Sequence, residues 1–281
     1  MLRTAQNEDM SKLRRMNVEA KTLPPAPTPF PLIGAGWLLR WFAISIAFAA
    51  LCGYLTMCLL FYLGQWQVVF HPSRTITATP AALGIKFDDV RFDYTETGTA
   101  QLDGWWIPSE PAAGTGQTIL YLHDGSGSLS DSVQRLKTLH SLGVNLFAID
   151  YRGFGLSLDT HPSEQRVYAD ADAAISYLED VRHIDATRIV LYGAGLGATI
   201  AAEAARRHPQ VSGLVLDEPG PSGLELIRRD PRTKLLPVRL LFRDRLELEP
   251  KLRGLRVPTL ALGGNDPGAA GRFLNGLKLA D

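Results

Sequence analysis

The stretch Arg188–Arg207, RIVLYGAGLGATIAAEAARR, constrains the fold more than any other part of the chain. Ile189–Tyr192 is an unbroken apolar run of strand length. Gly193-Ala194-Gly195-Leu196-Gly197 follows, and then Ala198–Arg207, rich in alanine and basic at its end, which predicts a helix. Glycines on both sides of such a turn let strand and helix approach closely. The residue at its tip is held in a backbone conformation that glycine adopts without a Cβ penalty.

Three readings of this stretch stand side by side. Strand, tight turn and helix resemble the nucleophile elbow of α/β-hydrolases, which normally reads G-x-S-x-G with serine at the tip. Gly193-Ala194-Gly195-Leu196-Gly197-Ala198 also satisfies the dinucleotide fingerprint G-x-G-x-x-G/A. Asp217-Glu218, after the next apolar run, then stands where a ribose-binding acid would. The third reading is a plain strand-to-helix turn of another α/β fold.

Position along the chain separates them. The predicted hairpin Val90–Tyr94 and Leu102–Ile107 turns at Gly98. Strands follow at Thr118–Leu122, Asn145–Ile149, Arg188–Tyr192, Gly213–Leu216 and Thr259–Leu262, with helices at Leu129–Leu142, Val167–Val181, Ala198–Arg207 and Ala269–Leu277. Such alternation implies a mostly parallel sheet flanked by helices, an α/β fold. A dinucleotide fingerprint normally opens its fold, whereas here a hairpin and two βα units precede it.

The N-terminal part has another composition. Residues 1–40 form a polar tail and a proline-rich spacer, Leu23–Pro29. Trp41–Leu63 carries no charge, and about 23 helical residues reach roughly 34 Å, enough for a bilayer core. Trp37, Trp41, Tyr62 and Trp66 stand near its ends, as interfacial anchors do. Membrane lipid around Trp41–Leu63 is the expected partner. No small-x-small cleavage site follows the span, so it reads as a signal anchor and not a removed leader. Arg3, Lys12, Arg14, Arg15, Lys21 and Arg40 precede it and only Arg74 follows closely, which predicts a cytoplasmic N-terminus and an extracytoplasmic domain over 68–281. Lys plus Arg and Asp plus Glu balance at 29 each, so nothing points to nucleic acid. The two cysteines, Cys52 and Cys58, lie within the apolar span and build neither a disulfide framework nor a metal site. No cofactor is expected. Arg228–Arg256 carries ten Lys/Arg against four Asp/Glu, interleaved with Leu and Val. It reads as a solvated helical face or as a surface lying on an anionic membrane.

Further segments resemble the membrane-anchored serine-hydrolase branch of the α/β-hydrolase superfamily. They are Val69-Phe70-His71-Pro72-Ser73-Arg74 after the span, Thr79–Gly84, Gly104–Pro108, Asp150-Tyr151-Arg152-Gly153-Phe154-Gly155-Leu156-Ser157, Pro162-Ser163-Glu164 with Tyr168 and Asp170, and Val257–Leu260. The resemblance covers 68–266 and implies a hydrolase of acyl esters or amides. It also sharpens the departures. Gly195 stands at the nucleophile position without a side chain to attack a carbonyl. The catalytic histidine is expected after the last acid. The histidines are His71, His123, His140, His161, His183 and His208, and none follows Asp266, the position of the triad acid, which reads as vestigial. His208 reads as a cation at a helix end. The family's last strand and helix are expected to be missing. The oxyanion-hole positions are Asp124 and Leu196. In His123-Asp124-Gly125, Asp124 replaces the family's usual glycine. An inward carboxylate would oppose an oxyanion, and an outward one would be a turn residue. Ser126, Ser128, Ser130 and Ser157 are loop serines outside any G-x-S-x-G context. The sequence thus predicts a hydrolase scaffold without turnover. The alternatives are a hydrolase with an unusual nucleophile or one completed by a partner, and a nucleotide-binding module using GAGLGA.

Overall fold

The computed structural model describes residues 34–93, 100–109, 116–264 and 266–278. The polar tail, the proline-rich spacer, the Gly98 turn and Asn265 lie outside the described residues. The chain divides into two compact units, Met1–Tyr54 and Leu55–Asp281.

Helix α1, Ala35–Gly64, runs through the charge-free span and has no buried residue. Its best window has a mean hydropathy of 2.2, so it is long and apolar enough to cross a membrane. A helix that is apolar on every side cannot present a polar face to water.

In the second unit a seven-stranded sheet is built from β1 (Asp88–Asp93), β2 (Ala100–Ile107), β3 (Thr118–Leu122), β4 (Asn145–Asp150), β5 (Ile189–Ala194), β6 (Gly213–Asp217) and β7 (Thr259–Leu262), in the order β1-β2-β4-β3-β5-β6-β7. β1 and β2 form the predicted antiparallel hairpin, β2 also pairs antiparallel with β4, and all later pairings are parallel. β3, β5 and β6 are buried along their whole length, as central parallel strands covered on both faces must be. Their alternate residues feed two cores. Leu120, Leu122, Leu191, Leu214 and Leu216 pack with helices α3 (Glu164–Ser176) and α4 (Gly197–Arg207). Ile119, Tyr121, Val190, Tyr192 and Val215 pack with α2 (Val133–His140) and α6 (Pro267–Lys278).

Two predicted elements differ in detail. The first helix begins as a 3-10 turn, Leu129–Ser132, under a capping box of Ser128 and Asp131, and becomes α-helical only at Val133. The basic region is no long amphipathic helix. It breaks into α5 (Gly223–Arg229), a 3-10 turn at Pro231–Thr233 and single turns at Val238–Leu241 and Glu249–Leu252. Pro231, Pro237 and Pro250 each remove a backbone donor and clash with the preceding turn, which stops a helix from propagating.

After α1 the chain enters the second unit's core at Val69 and Phe70. His71 and Pro72 then pair in parallel with Ser126 and Gly127. Gly155 N–H donates to Ser73 O at 2.9 Å, and the Arg74 guanidinium donates to Ser157 O at 2.8 Å. The segment after α1 is thus stitched across the loops that follow β3 and β4, at the carboxyl edge of the sheet.

Candidate functional site

The β5–α4 turn sits on the central strand, and its glycines are demanded by contact. A Cβ at Gly193 would lie 2.3 Å from Gly197 O, and one at Gly197 would lie 2.2 Å from Leu122 O. Gly195 at the tip has φ +58, the left-handed region. Its N–H donates to Asp217 O at 2.9 Å, and its carbonyl accepts from Gly220 N–H at 3.1 Å.

Asp124 points inward. Its Oδ1 accepts from Leu196 N–H at 2.7 Å, and Ser126 Oγ donates to its Oδ2 at 3.3 Å. A Cβ built on Gly195 would lie 2.4 Å from Asp124 Oδ1 and 2.6 Å from its Cγ. The carboxylate therefore occupies the space where an elbow serine side chain would begin. It also holds the amide that the hydrolase pattern offers to an oxyanion. A fixed negative charge there opposes a second one developing beside it.

Two adjoining cavities of about 470 Å³ each share Asp124, Ser126 and Arg135. The one over the elbow is lined also by Val68, Val69, His71, Gly195, Leu196, Glu218 and Leu226. His71 is the histidine brought to that cavity. Its backbone pairs with Ser126, so the two residues stand side by side. Sequence order hid this, because the segment after the apolar span is far from the elbow along the chain and its only signal was the match to Val69–Arg74.

The other sequence candidates have structural partners. His123 is buried and packs on Tyr151 at 4.5 Å between ring centroids. Its Nδ1–H donates to Asp124 O at 2.6 Å. Ser157 Oγ donates to Asp150 O at 2.6 Å and accepts from Asp103 N–H at 2.9 Å. Ser130 Oγ donates to Ala78 O at 3.0 Å, and Ser128 caps the 3-10 turn. Asp266 is exposed and its Oδ1 accepts from Ala269 N–H at 2.9 Å, capping the start of α6. His208 lies 3.0 Å from Asp172 at the end of α4 remote from the elbow.

Asp217, the ribose-binding candidate, is fully buried at the end of β6. Its Oδ2 accepts from Tyr192 O–H at 2.6 Å, and Arg135 Nε lies 3.3 Å away. Burial, then the bond to Asp217, pushes the Tyr192 hydroxyl above its ordinary range, which keeps it a donor. The next residue, Glu218, is held at φ +46 on the cavity rim, a left-handed backbone that strains a non-glycine residue. Among the described residues no group of three or more His, Cys, Asp or Glu converges to hold a metal.

A mostly parallel sheet covered on both faces, with a strand–glycine–helix elbow at its centre, defines the scaffold of an α/β-hydrolase. Comparison with known proteins agrees. The family model for serine aminopeptidases, S33, matches residues 116–244. An uncharacterized protein of Mycobacterium tuberculosis is 32% identical over 203 residues, which are 72% of this chain and 70% of that protein. The α/β hydrolase domain-containing protein WAV2 of Arabidopsis thaliana is 30% identical over 169 residues, covering 58% of this chain. The match spans 54% of WAV2's own length. The crystal structure of an α/β hydrolase from Vibrio vulnificus superposes with a TM-score of 0.57 at 28% identity, over 74% of this chain and 77% of that one. The chain belongs to the α/β-hydrolase superfamily.

Proposed function

We propose that this protein is a membrane-anchored α/β-hydrolase-fold protein whose elbow does not turn over acyl esters, the scaffold being kept for binding or assembly. The observation that carries this reading is the Asp124 carboxylate on Leu196 N–H at 2.7 Å, beside a tip residue without a side chain. Attack on a carbonyl needs a nucleophile and a free donor for the oxyanion. Gly195 supplies no nucleophile, and Asp124 already takes the donor. The same carboxylate disfavours phosphate at the start of α4, and the burial of Asp217 against Tyr192 disfavours a ribose there. Both weigh against a nucleotide-binding module. We further propose α1 as the anchor and an extracytoplasmic position for the second unit, on the basic excess before Trp41.

The test is labelling by a serine-directed fluorophosphonate together with hydrolysis of a p-nitrophenyl acyl ester. The expected outcome is no stoichiometric label and no turnover above buffer. One observation favours a second reading, a hydrolase with Ser126 as an unusual nucleophile: Ser126 and His71 stand side by side in the elbow cavity. Labelling abolished by both Ser126→Ala and His71→Ala would establish that reading and end the first.

A further inference from the structure

We propose that Arg228–Arg245 is a docking surface for anionic phospholipid, with Leu235 and Leu240 set among the upper acyl chains and the surrounding Arg and Lys on the headgroups. The proposal rests on α1 being a membrane anchor. Leu240 is 83% exposed and Leu235 79%, more than any other large apolar side chain among the described residues, those of α1 included. Leaving such surface in water forgoes the free energy of burial.

What lies against it is set by where the segment is pinned. Gln65, one residue beyond α1, is 5% exposed. Its Nε2 donates to Leu241 O at 3.3 Å and to Tyr62 O at 2.8 Å, and its Oε1 accepts from Arg243 N–H at 2.7 Å. The Arg243 guanidinium lies 4.4 Å from the centroid of the Tyr62 ring. Leu241 and Arg243 are thereby held against the last turn of α1, where an anchor leaves the bilayer and where Tyr and Trp mark the headgroup level. Leu240 is their neighbour in the chain.

Charge selects the lipid. Arg228, Arg229, Lys234, Arg239, Arg243 and Arg245 are exposed. Of the two acids in the segment, Asp230 is half-buried and Asp244 is turned inward, its Oδ1 accepting from Glu164 N–H at 2.7 Å. The outward face is therefore cationic around two leucines, which complements an anionic headgroup layer over acyl chains.

The experiment uses the full chain reconstituted in vesicles of phosphatidylcholine alone or mixed with phosphatidylglycerol. Nitroxides are placed by Leu240→Cys or, as the water reference, Val181→Cys, each with Cys52→Ser and Cys58→Ser. In phosphatidylglycerol vesicles, collisions with oxygen should outweigh those with a water-soluble nickel chelate at 240, and the reverse should hold at 181. High salt, phosphatidylcholine alone, or Lys234→Glu with Arg239→Glu should move the 240 label toward water. A 240 label as nickel-accessible as 181 in the anionic vesicles would overturn docking. Shielding from both reagents would overturn it in favour of a protein contact, and equal immersion in both vesicle types would overturn the headgroup assignment. A nitroxide on native Cys52, with Cys58→Ser, checks the anchor separately. An oxygen-rich Cys52 with a water-exposed 240 sinks only the docking surface, whereas a water-exposed Cys52 sinks the anchor itself.

Discussion

At position 195 a glycine and an aspartate across the turn depend on each other. Gly195→Ser adds a Cβ at φ +58, where an L-residue is strained by about 1–2 kcal/mol. That atom also meets Asp124 Oδ1 at 2.4 Å, so the carboxylate must swing away from Leu196 N–H. A hydrogen bond to a charged group contributes about 1.5–3 kcal/mol, so the single variant should lose about 2.5–5 kcal/mol in all. In an Asp124→Gly background the clash is gone and the same serine should cost only the backbone strain. A double-mutant cycle by denaturant unfolding should therefore show coupling of about 1.5–3 kcal/mol. Additivity of the two changes would mean that the carboxylate does not occupy the elbow in solution. Restored serine should still give no esterase turnover in either background, because a serine hydroxyl needs an adjacent base, Asp266 is engaged in capping α6, and His71, the cavity's histidine, is placed by its backbone pairing beside Ser126. Hydrolysis of p-nitrophenyl acetate well above wild type by Gly195→Ser would reveal a base at the elbow.

At the scale of elements, the pairing of β2 with β4 places Asp103 directly opposite Asp150. Asp103 is 2% exposed, and its Arg91 partner, 3.4 Å away, is mostly in solvent. Burial first, then the neighbouring Asp89 and Asp150, raise the Asp103 carboxyl from 3.8 to about 6. The sign follows from proton uptake. Between about pH 4 and 6 the folded chain binds this proton and the unfolded chain does not, so the group adds stability at low pH that is lost as pH rises through about 6. Asp103→Asn should therefore stabilise the protein at pH 8, by about 1–3 kcal/mol, and change little near pH 4. Urea unfolding of the two proteins at both pH values measures it. An equal difference at both would show that the carboxyl titrates normally.

For the whole molecule, the proposed anchor and the basic excess before Trp41 make a prediction of topology. A reporter active only outside the cytoplasm, fused after Asp281, should be active, and a cytoplasmic reporter at the same place silent. The opposite pattern would overturn the extracytoplasmic assignment and, with it, the positive-inside reading of Arg3–Arg40. Neither outcome alters the sheet, whose two cores are made by residues of the second unit.

The sequence by itself determined the elements and their class. Period and propensity are local, so Thr118–Leu122 and Thr259–Leu262 are strands as expected, and the apolar span lies within α1. The glycine turn was legible too, because crowding between adjacent strand and helix restricts which residues fit. Boundaries set by capping were less so, as at Leu129–Val133, where Ser128 and Asp131 compete for the first turn. Tertiary structure alone decided the site. Whether Asp124 faced in or out depended on Leu196 N–H, an amide 72 residues along the chain that has no intrahelical acceptor at the start of α4. His71 reached the elbow cavity only through the pairing of its backbone with Ser126. The exposure of Leu235 and Leu240 followed from prolines that broke a helix and from Gln65 fixing the pieces to the end of α1. Side-chain direction and proximity across such separations arise from packing of the whole chain, and residue type and spacing do not encode them locally.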